Sequence, residues 1–425
     1  MRKNLTLLAL GLGIALINPL SSVIAQAPTS QPITIPVTPP VTPPVTLPVT
    51  PPVTPPVTPP VTLPALELID LESVCTPDNC LGLDEQLWGK QGDKQALLTS
   101  IDNSLTYLAT NKAIEVYQNY PIKEITLNRV RESLVRFRQV VVSSQSAAEL
   151  QAAVRREFAF YQSVGNDGKG TVKFTAYYEP MYVASRVRTA VYRYPLYRLP
   201  ADFQKWPKPH PKRVDLEGKD GLLGNKSKLR GLEILWFSNR LDPYMVHIQG
   251  SAQIRLTNGQ RTSVGYAGGT DYPWTSIGKE LAKDGKLPLS GLTMPKLISY
   301  FQKHPRELSN YLPRWERFIF FAETNGAPAT GSLMIPVTAE RSIATDKALM
   351  PPGALALIIN SFPYPNSSGK LESRLVNRFV LDQDTGSAIK GPGRVDYFMG
   401  SGQLAGDRAG ISGGNGLLFY LLLKE

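Results

Sequence analysis

"LDQDTGSAIKGPGRVDYFMGSG", residues 381–402, reads as strand, turn and strand. Asp384-Thr385-Gly386 is a turn signature, and Pro392-Gly393 supplies a second tight bend before the chain extends again. Val395, Tyr397 and Phe398 then surround Asp396, which places this carboxyl on a strand among bulky apolar neighbours. Three carboxylates in so short a stretch, Asp382, Asp384 and Asp396, could form a metal loop, a catalytic pair or a set of turns. A calcium loop is excluded by spacing, because oxygen-bearing residues do not recur at alternate positions before a distal Glu.

Working outward, the same strand-and-turn character extends back to "GNDGKG" near residue 165. The runs "TVKFTAYYEP", "AVYRYPLYRL", "LEILWFSN", "YMVHIQGSAQIRL", "QRTSVGYAGG", "GALALIIN", "NRFVLDQD" and "RVDYFMG" are short, β-like and separated by Gly, Pro and Asn. Many such strands argue for barrels over a parallel sheet with crossover helices. "MPKLISYFQKHPRELSNYL" and "WERFIFFAET" interrupt them with helical pattern. From about Leu81 to Tyr161 apolar residues recur at three and four, so this block reads as helices, with Asn128 and Ser146 as expected N-caps.

The amino-terminal end has a different character. Arg2 and Lys3 precede an apolar run from Leu5 to Ile17 and a small-residue site, the pattern of a cleaved export signal with cleavage expected after Ala25. The run is shorter than the roughly 20 residues that span hydrocarbon. Residues 26–80 hold a linker whose Val-Thr-Xaa-Pro repeats predict extended polyproline II, a spacer between the exit point and the folded body. The linker closes with "CTPDNC", where an oxidising compartment predicts a local disulfide between Cys75 and Cys80. Two thiols and the scattered His210, His247 and His304 do not make an ordinary zinc site, so no metal or other cofactor is expected. The formal charge is +11, and 11 − 2 = +9 once Arg2 and Lys3 are removed. That balance favours polyanions, and outside the cytoplasm an anionic envelope polymer fits better than nucleic acid.

Four groups carry candidate chemistry. In "FTAYYEP", Phe174, Ala176 and Tyr178 alternate with Thr175, Tyr177 and Glu179. An aromatic face of this kind stacks on sugars or fills a core, and alternation alone does not choose. Gln249, Gly250 and Ser251 offer amide, bare backbone and hydroxyl, suited to acetamido or hydroxyl groups of a ligand or simply to a turn. Asp346 beside Pro351-Pro352-Gly353 reads as a turn carboxylate or a site residue. Asp396 is partly desolvated by its apolar neighbours, which raises its pKa as a general acid requires, and Gly400, Gly402 and Gly406 allow close backbone approach to a ligand. Asp382 reads as an ordinary strand-end residue.

"FTAYYEP", "VHIQGSA", "RSIATD", "QDTGSAIKG" and "RVDYFMGSG", in this order, closely resemble the membrane-bound lytic transglycosylase A family, whose carboxyl-terminal part is the three-aspartate domain. The resemblance runs from about residue 82 to the end. It implies a mainly β protein with helices (α+β): a double-psi β-barrel body over 81–187 and 333–425, an inserted smaller β-barrel over 188–332, and a glycan groove between them. The family's aspartates fall on Asp346, Asp384 and Asp396, with Asp396 the catalytic one and the other two supporting. Tyr178, Glu179, Gln249, Ser251, Gly400 and Gly402 are the implied substrate-binding residues. The implied activity is that of a peptidoglycan exotransglycosylase, a glycan lyase that cuts the β-1,4 MurNAc–GlcNAc bond and leaves 1,6-anhydromuramyl ends.

Two departures from the family stand out. No lipobox cysteine follows the signal, where the chain reads "VIAQAP", so lipid anchoring lacks its usual attachment point, and the turn before Asp396 is lengthened by Pro392-Gly393. The expected address is the periplasm or cell envelope, with the outer membrane and envelope proteins as candidate partners. Two other functions fit the same carboxylates: an inverting hydrolase using Asp396 with Asp384 or Asp346, and a wall-binding or wall-loosening module without catalysis.

Overall fold

The structure is a computed structural model that describes residues 64–71, 81–90 and 92–425. The signal, most of the spacer, and Cys75 and Cys80 with their expected disulfide lie outside the described residues.

Four helices precede the main strands: α1 (Lys94–Leu108), α2 (Asn111–Gln118), α3 (Leu127–Ser143) and α4 (Ala147–Glu157). In α3, Val130, Leu134, Phe137 and Val141 form one buried stripe, the face that a three-to-four spacing creates. Phe137 meets Phe158 and Phe379 edge-on at centroid distances of 5.9 and 4.9 Å, seating the helix on the sheet. Ser146 caps α4 as expected, accepting from the Glu149 N–H at 3.2 Å while the Glu149 carboxylate accepts from Gln145 N–H. Asn128 does not cap α3. Thr126 does, and Asn128 lies inside the first turn, donating to Glu132.

The strands are β1 (Leu66–Ile69), β2 (Phe158–Ser163), β3 (Val172–Glu179), β4 (Met181–Ala184), β5 (Tyr194–Tyr197), β6 (Glu233–Phe237), β7 (Ser251–Leu256), β8 (Arg261–Gly269), β9 (Ile319–Glu323), β10 (Ser342–Ala344), β11 (Leu355–Pro365), β12 (Leu371–Asp384), β13 (Arg394–Ser401) and β14 (Gly414–Leu423). The order β14-β11-β12-β10-β13-β3 closes on itself because β14 also pairs with β3, giving a six-stranded barrel, with β2 and β1 continuing outward from β14. Closure removes the exposed edges that so many strands would otherwise present. A second set, β4-β7-β8-β9 with the pair β5-β6, is joined at both ends by the bridges Ser185–Trp236 and Arg198–Phe321, so it too runs round into a smaller ring. Each ring has its own core: Phe160, Phe174, Leu357 and Tyr420 in the first, Leu235, Val246, Ile254 and Phe321 in the second.

Three local readings change. Residues 158–163, expected to continue a helix, form β2, because Phe158, Phe160 and Tyr161 are drawn into pairing with β14. "LDPYMVHIQ" is a helix, α6 (Leu241–Gln249), following α5 (Arg213–Glu217); it stops at Gly250, whose φ of +81° suits glycine alone. "WERFIFFAET" contains strand β9, not a helix, its Phe320 and Phe321 buried on opposite faces in separate clusters. Beyond α6 come α7 (Ile277–Lys283), α8 (Met294–Lys303), α9 (Leu308–Tyr311) and α10 (Gln403–Ile411). The two rings touch where α8 meets α10: a Cβ on Gly410 would lie 2.9 Å from the Pro295 ring.

Candidate active site

The barrel assembles the site as a row across four strands. Ala344 of β10 is paired with Asp384 of β12 on one side and Asp396 of β13 on the other, and Asp396 is paired with Thr175 of β3. The row therefore runs Asp384, Ala344, Asp396, Thr175, with the small alanine leaving space between the two carboxyls. An irregularity in the β10–β12 register beside Ala344 brings Asp384, rather than Gln383, into line.

Asp396 lies between Val395 and Tyr397, both wholly buried, so strand alternation turns its carboxyl to the opposite face. The residue is half-buried. Its Oδ1 accepts from the Thr175 hydroxyl at 2.6 Å, and Oδ2 accepts no hydrogen bond among the described residues. Burial pushes its pKa up to about 6, against the opposing effects of the Thr175 hydrogen bond and the nearby Arg394; the charge of Asp384 adds to the rise. A carboxyl held near neutrality with one free oxygen can deliver a proton and take one back.

Asp384 is differently placed. Its Oδ1 accepts from the backbone N–H groups of Ser332 and Thr385, both at 2.8 Å, and its Oδ2 from the Tyr177 hydroxyl at 2.9 Å. Burial raises its pKa, while these three donors favour the charged form. The Tyr177 ring leans on Phe398 at a centroid distance of 5.1 Å, so Asp384 ties β3 and the 331–335 turn to β12. Asp346 is buried and accepts from Gly391 N–H at 3.0 Å and Ala348 N–H at 3.3 Å, pinning the β12–β13 loop to the turn after β10.

Asp382 is not the ordinary strand-end residue expected. It is wholly buried, accepts from Tyr420 and Thr345 hydroxyls, both at 2.7 Å, and pairs with Lys347, whose ammonium also reaches the Asp384 carbonyl. Glu179, expected to bind substrate, is only 2% exposed. Its Oε2 accepts from Gln253 at 3.0 Å and Ser401 at 2.7 Å, so it joins β3, β7 and β13 beneath the surface. Gln249 accepts from the Tyr178 N–H at 3.1 Å, and Ser251 is buried at the start of β7. Gln249 thereby sits where the two rings meet, while Ser251 pairs with Gly265 inside the second one. Gly400 and Gly402 adopt φ of +93° and +87°; Gly400 packs on Ala339, and Gly402 N–H donates to the Glu179 carbonyl.

Tyr178 rests on α10, where a Cβ on Gly406 would stand 2.7 Å from its ring. Gly406→Val should displace the Tyr178 ring, costing about 1–3 kcal/mol by overpacking. Tyrosine fluorescence and a denaturation midpoint would check it; an unchanged midpoint would mean that the ring yields freely.

Thr175, Tyr177 and Arg394 were not singled out as site residues from the sequence. The alternation in "FTAYYEP" carried the signal for the first two, since it sets Thr175 and Tyr177 opposite the core-facing Phe174. A cavity of about 810 Å³ lined by Leu68, Arg129, Phe158 and Lys424 lies elsewhere, at the β1–β2 edge, and none of the site residues lines it.

Residues 173–322 match the MltA specific insert domain and residues 341–422 match the 3D domain, which takes in Asp346, Asp384 and Asp396. The membrane-bound lytic murein transglycosylase A of Escherichia coli K12 is 31% identical over 253 residues, 59% of this chain and 65% of the relative. The chain thus spans about two thirds of that relative's length. A homologue from Buchnera aphidicola is 29% identical over 68% of this chain and 77% of its own. Among solved structures, a membrane-bound lytic murein transglycosylase from Agrobacterium tumefaciens superposes with a TM-score of 0.62 at 25% identity, covering 84% of this chain and 98% of that one. Escherichia coli MltA with bound chitohexaose superposes with a TM-score of 0.63 at 24% identity, covering 86% and 96%. With both domain matches in sequence order and the barrel that holds the three aspartates in place, the chain belongs to the MltA-type family with a 3D domain.

Proposed function

We propose that the protein is a lytic transglycosylase of peptidoglycan that cuts the β-1,4 bond between N-acetylmuramic acid and N-acetylglucosamine with Asp396 as its single acid–base group. The observation that carries this reading is the unequal state of the family's aspartates: Asp396 alone combines a free oxygen with a pKa of about 6. Asp384 accepts three hydrogen bonds, with a donor on each oxygen, and Asp346 is engaged in holding a loop. Curated relatives carry the name lytic murein transglycosylase, and the Escherichia coli protein was solved with bound chitohexaose.

In this mechanism protonated Asp396 donates to the glycosidic oxygen as the C1–O bond breaks. The resulting carboxylate takes the proton of the muramyl C6 hydroxyl as O6 closes on C1. The product ends in 1,6-anhydromuramic acid and no water is consumed. One carboxyl suffices because the nucleophile belongs to the substrate. The glycan strand would lie between the two rings, beside Tyr178 and Gln249. Export past the cytoplasmic membrane fits this substrate, and among the described residues no helix is long and apolar enough to cross a membrane.

A second reading has one observation in its favour. Asp384 and Asp396 stand two strands apart, roughly 10 Å between backbones, and inverting glycosidases hold their carboxyls about 6.5–9.5 Å apart. Against it, Asp384 already accepts three hydrogen bonds, with a donor on each oxygen, which weakens it as a base for water. Digestion of purified sacculi followed by muropeptide mass measurement separates the two, since anhydro ends are lighter by one water. Reducing ends alone would sink the transglycosylase reading. Asp384→Ala should cost about 1–3 kcal/mol of stability through the donors it strands, with rate reduced about tenfold or less. A complete loss of rate in a normally stable variant would make Asp384 a chemical participant instead.

A further inference from the structure

Asp396 is separated from a cation by a single hydroxyl. Arg394 Nη2 donates to Thr175 Oγ1 at 2.9 Å, and Thr175 Oγ1 donates to Asp396 Oδ1 at 2.6 Å. The other guanidinium contacts run to the carbonyls of Lys173 at 3.3 Å and Val395 at 3.5 Å, and Arg394 makes no ion pair with Asp396 among the described residues. Arg394 and Asp396 are two residues apart on β13, hence on one face, and Thr175 stands opposite Asp396 on β3.

The order of donors follows from the groups involved. A guanidinium only donates, whereas a hydroxyl has one proton and two acceptor lone pairs. With one lone pair taken by Arg394, the Thr175 proton is directed to Asp396. Among the described residues Oδ1 is the acceptor that the Thr175 proton reaches, so a proton on Oδ1 would have to turn that hydroxyl away and leave its proton without a partner, which favours the acidic proton on Oδ2. Without Arg394 both lone pairs and the rotor are released, so the hydroxyl turns more readily to accept a proton from Oδ1, holding it away from the substrate. We propose that Arg394 is a positioning residue: it fixes Thr175 as a donor to Oδ1 and confines the transferable proton of Asp396 to Oδ2. This rests on the single-carboxylate reading above.

The charged and titratable groups facing Asp396 are Arg394 on its own strand, Tyr177 on β3 and Asp384 on β12, while β10 presents only Ala344. Removing Arg394 leaves Asp384 and burial unopposed except for Thr175, so Asp396 should hold its proton to higher pH.

The test titrates the Asp396 carboxyl by carbon-13 NMR in the full chain and measures sacculus solubilisation against pH. Arg394→Met should raise the Asp396 pKa by about 0.5–1 unit and Thr175→Val by about 1 unit. Arg394→Met should also lower kcat about 5- to 50-fold with KM changed less than about twofold. Arg394→Lys, which keeps a donor and a charge, should restore most of both effects, and it stands in if the methionine variant does not fold. The double variant should have a kcat close to that of Thr175→Val alone, because the positioning acts through that hydroxyl, while its Asp396 pKa rises further, because the Arg394 charge also acts directly. Unchanged kcat in Arg394→Met, or kcat losses fully additive with those of Thr175→Val, would overturn the proposal. Reducing-end products from the unaltered protein would instead sink the single-carboxylate reading, leaving the titration result intact.

Discussion

Asp396→Asn is expected to abolish wall lysis, a drop of about 10³-fold or more, while binding to sacculi survives. The amide cannot supply the proton or receive it back, yet it can still accept from Thr175 at the same position. The same variant should be more stable than the parent at neutral pH. Asp396 titrates near 6 in the folded protein against 3.8 as its ordinary value, so the folded state holds the proton more tightly between these limits. Stability from this group is fully present below about pH 4 and is lost as pH rises through about 6. Two units correspond to about 3 kcal/mol, trimmed to about 1–2 by the residue's partial exposure. Asn should recover that amount at pH 7, a rise in Tm of a few degrees, and none at pH 4. Lysis by the parent should likewise fall as pH rises through about 6, where the acid form is lost. Pull-down on sacculi, dye-release lysis assays and thermal scans at the two pH values read all of this. Retained lysis, or loss of wall binding together with lysis, would contradict it.

Arg341→Leu is expected to cost about 3–5 kcal/mol of stability, the usual loss when one member of a buried ion cluster is removed. Arg341 and Asp84 are both wholly buried and joined at 2.5 Å, and Arg341 also pairs with Asp93 and donates to the Phe379 carbonyl at 2.8 Å. The leucine would leave Asp84 buried with a distant Arg378 at 3.7 Å and two backbone donors. This cluster straps residues 84–93 onto β10 and β12, the strands that carry Ala344 and Asp384. Urea denaturation gives the midpoint shift, and an Asp84→Leu, Arg341→Leu double variant should recover part of the loss, because no charge is then stranded. A midpoint within about 1 kcal/mol of the parent in the single variant would show that the strap is dispensable.

The role of Asp396 was legible because its reading needs only neighbours in sequence. Apolar residues on either side of a strand carboxylate predict desolvation, and the structure gives the raised pKa with burial as its leading cause. The amphipathic helices were legible for the same reason: their stripes are written within one turn of each other. Strand β14, "GNGLLFYLLL", was not picked out, because it is buried on both faces and its apolar run carries no alternation. The helix over Leu241–Gln249 and strand β9 were misread for a related reason. Each is short and largely buried, and short apolar runs take the conformation their neighbours pair with or pack on.

The sequence by itself determined that a strand, a glycine-rich turn and a second strand would deliver Asp384 and Asp396 near one another, with only Asp396 set among apolar side chains. Backbone propensity and alternation act over a few residues, and these features need no more. The tertiary structure alone decided the rest. Barrel closure brings Thr175 and Tyr177, some 200 residues earlier in the chain, to the two carboxyls, so that Asp384 has a donor on each oxygen, Asp396 keeps one oxygen free, and Asp382 and Glu179 become buried joints. Donor partners are fixed by distance in space, which a linear pattern does not encode.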